Sequence, residues 1–136
     1  MAEVLIVLVI ISLVATLLAS RTALWNDRLA VRRASAEVWS FYQRARYAAV
    51  LGTALVRIEV SADSLTAVYE GLGDSVFLAH PGPARHGVEL AATRRLLRVA
   101  ANGFGHGAAN TKLILRRGEA AESLTVSRLG RMKRWQ

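Results

Sequence analysis

The stretch that decides the fold is VLIVLVIISLVATLLA, residues 4–19, sixteen consecutive residues without a charge, a proline or a glycine. As an α-helix it spans roughly 24 Å at about 1.5 Å per residue, a little less than the roughly 30 Å hydrocarbon layer of a bilayer. Arg21 follows closely, and its long side chain extends the span by reaching toward the lipid headgroups. The pattern predicts a membrane-spanning helix.

One acid, Glu3, directly precedes this stretch. A carboxylate at the edge of an apolar helix is costly unless a cation meets it, and acids in membrane segments usually mark function. We therefore interpret Glu3 as a contact for assembly with another chain. Two alternatives stay open. One is a secretory signal peptide, although no positive charge precedes the stretch and Ala19-Ser20-Arg21 is no small-residue cleavage site. The other is a plain membrane anchor, which leaves Glu3 without a role.

Beyond the apolar stretch the helix is predicted to continue as an amphipathic rod to Leu51. Gly52, which tolerates the left-handed conformation, is expected to end it. Apolar residues recur at spacings of three and four along one face, which should pack on a sheet: Val31, Ala34, Val38, Phe41, Ala45 and Ala48. Elsewhere on the rod, Arg33 and Glu37 are expected to pair one turn apart.

After Gly52 the apolar period changes from about 3.6 to 2, which indicates strands. We expect eight short strands separated by turns, at residues 53–60, 65–69, 76–79, 88–91, 96–100, 111–117, 122–127 and 131–135. Their connections are too short for parallel crossovers, so the sheet should be antiparallel. The predicted fold class is α+β, with one long N-terminal helix packed on an antiparallel β-sheet domain.

Length and charge agree with one small domain behind an anchor. From Asn26 onward about 110 residues remain, enough for a single hydrophobic core. The absence of cysteine excludes disulfides, thiol catalysis and thiolate metal sites. The net charge of +8 is unevenly distributed, because residues 1–84 hold seven basic and seven acidic side chains whereas residues 85–136 hold eleven basic and three acidic ones.

The N-terminal segment Ala2–Ile11, AEVLIVLVII, resembles the start of mature type IV pilins and pseudopilins. The resemblance implies removal of a leader, methylation of the new N terminus, and apolar helices that bundle into a filament core. In that family an acid at the fifth mature position pairs with the N-terminal amine of a neighbouring subunit, and Glu3 takes this role by position. Because the acid is third here, we expect the start to be truncated or misassigned.

Three further segments are similar to the GspH/FimT group of minor pilins: ARYAA at residues 45–49, the glycine-rich NGFGHG at 102–107, and VSRLGR at 126–131. With the N terminus the likeness spans nearly the whole chain. It implies a type IV pilin-like fold in which residues 1–24 form the transmembrane and filament-core half of the helix. Residues 25–136 would form a periplasmic domain of a single-pass inner-membrane protein whose partners are other pilins or pseudopilins.

Within that group the resemblance implies one of two roles. The first is a minor pseudopilin near the tip of a type II secretion pseudopilus, supporting protein secretion across the outer membrane. The alternative is a type IV pilus minor pilin that binds DNA during natural transformation. DNA-binding members end in G-R-x-R, which here reads Gly130-Arg131-Met132-Lys133. Because lysine lacks the bidentate fork of arginine, we favour the secretion role.

The candidate DNA-binding residues are the basic side chains of the C-terminal part, where clustered cations release counterions from DNA: Arg116, Arg117, Arg128, Arg131, Lys133 and Arg134. Trp135 adds a platform for base stacking. Strand alternation places Arg131 and Lys133 on one face and Arg134 on the other. A basic edge strand also prevents edge-to-edge aggregation, so a solvated or partner-facing basic surface remains an open alternative.

No enzymatic activity, cofactor, metal site or small-molecule substrate is predicted. The histidines, His80, His86 and His106, lack the spacing of a metal site. The glycines of residues 103–107 lack the Lys-Ser/Thr of a phosphate-binding loop and are expected to serve a turn. Glu119 and Glu122 flank a predicted hairpin turn and are expected to be solubilising.

Overall fold

The computed structural model describes residues 1–71 and 73–135 and begins with one long helix. Helix α1 (Ala2–Leu51) confirms the predicted continuous rod. All eight predicted strands are present: β1 (Val56–Val60), β2 (Ser64–Tyr69), β3 (Val76–Pro81), β4 (Glu89–Ala92), β5 (Leu96–Val99), β6 (Thr111–Arg117), β7 (Ala120–Val126) and β8 (Met132–Trp135). A short 3₁₀ helix (Pro83–His86) lies between β3 and β4, where Pro81-Gly82-Pro83 prevents a regular strand.

In the described part of the chain the strands form two four-stranded antiparallel sheets, so the expectation of one sheet was wrong. The first sheet has the order β3-β2-β1-β5, and the second has the order β4-β6-β7-β8. The chain passes from β4 in the second sheet to β5 in the first through only three residues, 93–95. Alternation in the sequence reveals which face of a strand is buried, but it does not reveal which strand is its neighbour.

The core lies between α1 and both sheets, with β6 and β7 contributing most of the contact with the helix. Five of the six predicted core positions of the helix are buried: Val31, Ala34, Val38, Phe41 and Ala45. The sixth, Ala48, is only half-buried, and Ala49 is buried in its place. The sheets contribute Ile58, Leu65, Leu113, Leu115 and Leu124, each at most 1% exposed.

The helix ends at Gly52 as predicted, but for a different reason. Gly52 has φ −80°, in the right-handed region, and the left-handed residue is Thr53 at φ 48°. A Cβ on Gly52 would lie 3.0 Å from the carbonyl oxygen of Ala48 and 3.3 Å from the ring of Tyr69. The position is therefore restricted by close packing against β2 rather than by its own dihedral angles.

Glu37 pairs across the fold and not with Arg33. Its carboxylate accepts a hydrogen bond from the Arg85 guanidinium and lies 3.0 Å from Nε2 of His86. Burial alone would raise the pKa of Glu37, but the hydrogen bonds and charges of Arg85 and His86 outweigh it and hold that pKa below its ordinary value of 4.5. These contacts of Glu37 with Arg85 and His86 link the 3₁₀ helix to α1.

Candidate functional site

The apolar first half of α1 is exposed in the described part of the chain. An 18-residue window of α1 has a mean hydropathy of 2.8 and none of it is buried, so the helix is long and apolar enough to cross a membrane. Ile10 is 54% exposed, whereas Val31 on the second half is 1% exposed. About five turns of apolar side chain are therefore open to whatever surrounds the helix.

Two threonine hydroxyls of this half donate hydrogen bonds to carbonyl groups of the helix itself. The Thr16 hydroxyl donates to the carbonyl of Leu13 at 2.8 Å, and the Thr22 hydroxyl donates to that of Ala19 at 2.9 Å. This satisfies both hydroxyls without water. Glu3 lies exposed in the first turn and forms no ion pair within residues 1–71 and 73–135, so its role in assembly stays a prediction.

The second candidate region is a groove on the face of the second sheet turned away from α1. Arg131 and Lys133 both line it, as their predicted common face requires. Lys112 joins them from β6, because Lys112 is in register with Thr125 and Thr125 with Lys133. The groove has a volume of about 610 Å³. We call the side chains of Lys112, Arg131 and Lys133 the basic groove.

Trp135 lies beside this groove and is held in place. Its indole N–H donates to Oγ1 of Thr125 at 3.0 Å, and Nζ of Lys133 lies 6.0 Å from the centre of its rings. The ring stays 55% exposed. An immobilised, half-exposed indole next to cations is the arrangement on which an unpaired base can stack.

The other four predicted basic residues do not share the groove. Arg117 is engaged by Asp27, with Nε 2.9 Å from the carboxylate, because the end of β6 packs beside α1. Arg116 is four residues from Lys112 along β6, roughly 13 Å away, and is in register with Glu89. Arg134 is in register with the buried Leu124 and so lies on the opposite face, and Arg128 is exposed in the preceding turn.

Sequence reasoning missed Lys112. The alternation of β6 places Lys112 and Arg116 on one face and the buried Leu113 and Leu115 on the other. That signal was visible, but the order β6-β7-β8, which brings Lys112 near Lys133, was not.

Gly130 of the G-R segment has a structural task. Its φ is +72°, and a Cβ would lie 2.1 Å from the carbonyl oxygen of Gly103. Arg46 Nε donates to that same carbonyl at 2.9 Å, and the Tyr42 hydroxyl donates to the carbonyl of Gly130 at 3.3 Å. The three segments that carry the second resemblance thus meet at one point. This junction fixes where β8 begins and therefore where Arg131 lies.

Glu122 is not a solubilising surface residue as expected. It belongs to β7, points at α1 and is 6% exposed. Its carboxylate accepts a hydrogen bond from the buried Ser35 hydroxyl, and Arg32 Nε lies 3.9 Å from it. Strand β7 begins at Ala120, two residues earlier than predicted, so Glu122 lies inside the strand rather than at the edge of the turn, with its side chain inward.

Among residues 1–71 and 73–135 no group of three or more His, Asp or Glu side chains is placed to hold a metal ion. His86 is engaged by Glu37, and Nδ1 of His80 lies 2.9 Å from the carbonyl oxygen of Pro81. The loop 102–107 is a turn between β5 and β6, where Asn102 Oδ1 accepts a hydrogen bond from the backbone N–H of Phe104 at 3.0 Å. This agrees with the prediction that the glycines of residues 103–107 serve a turn.

The fold is similar to solved structures of filament subunits. No protein-family model and no curated protein matches the sequence. The chain superposes on the type IV minor pilin FimU of Pseudomonas aeruginosa with a TM-score of 0.65 and 17% identity, over 76% of this chain and 86% of FimU. A second crystal form of FimU gives a TM-score of 0.64.

It also superposes on the minor pseudopilin EpsH from the type 2 secretion system of Vibrio cholerae, with a TM-score of 0.55 and 15% identity, over 75% of this chain and 95% of EpsH. The chain therefore has a type IV pilin-like α+β fold, which confirms the predicted fold class. At these identities the likeness extends to the fold alone.

Proposed function

We propose that the chain is a minor subunit of a type IV pilin-like filament. Residues 1–24 would lie in the inner membrane before assembly and in the filament core afterwards, and residues 25–136 would form the periplasmic domain. The observation that carries the proposal is a single unbroken helix whose apolar first half is unburied and whose second half is the core of an α+β domain. So large an apolar surface must be covered by lipid or by other helices.

Glu3 supplies the specificity in this proposal. Its carboxylate stands at the start of the apolar half, where an unpaired charge is expensive, so a cationic group on a neighbouring subunit would stabilise the assembled state. The neighbour's N-terminal amine is the partner that the family resemblance implies. Lipid alone covers the apolar side chains equally well, but its mobile headgroups do not hold a cation at a fixed position beside Glu3.

Of the two machines, we propose the type II secretion pseudopilus, with the subunit near its tip. The support is the terminal Gly130-Arg131-Met132-Lys133, in which lysine replaces the second arginine of the DNA-binding motif. Gly130 is required by packing against Gly103, so the glycine of the G-R pair is explained without DNA.

The basic groove favours the second candidate, a DNA-binding minor pilin. Lys112, Arg131 and Lys133 converge on one face, no described acid lines the groove with them, and Trp135 stands beside them. Such a surface binds phosphates through counterion release and bases through stacking.

Deletion of the coding sequence separates the two functions. For the secretion role we expect exported proteins to accumulate in the periplasm, with normal DNA uptake and with rescue by the wild-type chain. Loss of transformation with intact secretion would overturn the secretion role and support the DNA-binding one. If the deletion impairs neither secretion nor transformation, the filament proposal is contradicted.

Membrane orientation needs its own test, because the arginines that follow the apolar stretch would on charge alone favour the cytoplasmic side. The chain has no cysteine, so single cysteines report their side of the membrane without background. We expect Leu51→Cys to react with a membrane-impermeant maleimide in cells whose outer membrane has been permeabilised. Labelling only after lysis of the inner membrane would contradict a periplasmic domain.

A further inference from the structure

Six arginines surround α1 just beyond the end of its apolar first half. Arg21, Arg28 and Arg32 follow one side of the helix at seven-residue and four-residue spacing. On another side Arg33 shares a groove with two arginines brought from elsewhere in the fold, Arg85 of the 3₁₀ helix and Arg117 of β6. We call these six residues the arginine collar.

The acids near the collar are mostly engaged within the fold. Asp27 pairs with Arg117, Glu37 pairs with Arg85 and His86, and Glu122 is buried against Ser35. In the described part of the chain Arg28 and Arg33 form no ion pair, and both are exposed. Glu119 is the exposed acid beside Arg28. Three members of the collar, Arg21, Arg28 and Arg33, therefore form no ion pair in the described part of the chain, whereas Arg32, Arg85 and Arg117 face the acids Glu122, Glu37 and Asp27.

When the apolar half spans a bilayer, Arg21 and Arg28 lie at the depth of the lipid headgroups, and Arg33, about 14 Å beyond Leu24 along the axis, lies within a Debye length of them. Arg28 is one helical turn beyond Leu24, about 6 Å along the axis, and the headgroup layer is about 5–7 Å thick on each side. Trp25 lies between them and is 74% exposed. Indole rings gather at this interface, so Trp25 marks the same level as Arg21 and Arg28.

We propose that the arginine collar binds the phosphate groups of anionic phospholipids while the subunit waits in the membrane. This inference rests on the membrane stage of the proposed function. Guanidinium groups bind phosphate oxygens through two parallel hydrogen bonds, and an anionic surface attracts arginines that lie within a Debye length of it. Because the collar holds cations on two sides of the helix, it fixes the height and tilt of the domain above the bilayer. Withdrawal of the apolar half into a filament breaks these contacts.

The test uses the full chain in lipid nanodiscs, either of phosphatidylcholine alone or of phosphatidylcholine containing phosphatidylglycerol. A donor fluorophore is attached at Ala121→Cys, which is exposed on β7 beside Arg28, and the acceptor is carried on lipid headgroups. We expect energy transfer to be higher in the anionic discs and to fall to the phosphatidylcholine level at high salt. Arg28→Gln with Arg33→Gln should lose most of the lipid-dependent difference.

The matched control is Arg44→Gln with Arg95→Gln, which removes the same charge from exposed positions away from the collar. It should keep the difference. Equal transfer in both lipids, or equal losses in the two double variants, would overturn the proposal.

A second label at Ser12→Cys, in the middle of the apolar half, distinguishes failure of the collar from failure of the proposed function. Quenching of this label by acyl-chain quenchers in both lipids shows that the span is inserted, whatever the collar does. If the Ser12 label is not quenched, the membrane stage itself fails, and the collar proposal fails with it.

Discussion

The two halves of α1 share one backbone and differ in what covers them. From Ala2 to Leu51 the helix is unbroken, yet its first half is exposed on every side and its second half carries a buried apolar face. The second half finds its partners in β6 and β7 of the same chain. Helix formation is thus common to both halves, and among the described residues it is the second half that the fold covers.

The acids of the two halves differ in the same way. Asp27 and Glu37 in the second half pair with Arg117 and Arg85 across the fold. Glu3 in the first half has no such partner in the part of the chain that the structure describes. Within residues 1–71 and 73–135 the apolar face and the acids of the second half are thus covered and paired, whereas the apolar surface of the first half is exposed and Glu3 has no ion pair.

The largest expected effect tests the completeness of the second half. A fragment of residues 22–136 should fold as a soluble, cooperative monomer, because the helix face that covers the sheets is intact. In that fragment Val38→Asp should lower the free energy of unfolding by roughly 3 kcal/mol or more, since Val38 is 2% exposed and the new charge would be buried without a partner. Urea denaturation measures the change.

Leu51→Asp is the matched control, because Leu51 is 84% exposed. It should change the free energy of unfolding by less than about 0.5 kcal/mol. Equal effects of the two substitutions would mean that the buried face of α1 is assigned wrongly.

The sequence predicted the elements well because local periodicity determines them. The 3.6-residue period identified Val31, Val38 and Phe41 as core, and the period of 2 located β6 at its observed ends. It failed where distant segments choose partners. The two sheets, the burial of Glu122, the pairing of Arg117 with Asp27 and the presence of Lys112 in the basic groove all depend on the tertiary arrangement.

A smaller effect concerns the basic groove, whose cations, like Glu3 in the first half, have no described partner of opposite charge. If DNA is bound through three phosphate contacts, a plot of the logarithm of the association constant against the logarithm of the salt concentration should have a slope of about −2.7. Arg131→Gln with Lys133→Gln should remove most of the affinity and reduce that slope by about 2, with the melting temperature unchanged. Filter binding to duplex at several salt concentrations measures both.

Arg44→Gln with Arg95→Gln removes the same charge outside the groove and should leave the slope nearly intact. Full binding by the groove variant, or a shallow slope for the wild type, would leave the basic groove as a solvated or partner-facing surface.

The smallest expected effect tests the internal pairing of Glu37. Because its folded pKa lies below 4.5, the pairing stabilises the domain fully above that pH, and the contribution is lost as the pH falls through the folded pKa. Glu37→Gln should therefore cost about 1 kcal/mol at pH 7 and progressively less in acid. Glu59→Gln, on the exposed face of β1, is the control. If the loss of stability caused by Glu37→Gln does not change with pH, the loss comes from packing and not from the charge of Glu37.

The pairing of Glu3 with a neighbouring subunit is the central claim, and crosslinking tests it most directly. Full-length chain carrying Ser12→Cys is expressed with its assembly system, and thiol crosslinks between apolar halves are measured in membranes and in sheared filaments. We expect Glu3→Ala to insert into the membrane normally but to lose crosslinks and filament incorporation, whereas Glu119→Ala, which removes an exposed acid of the domain, behaves as wild type. Undiminished crosslinks and incorporation with Glu3→Ala would contradict the account.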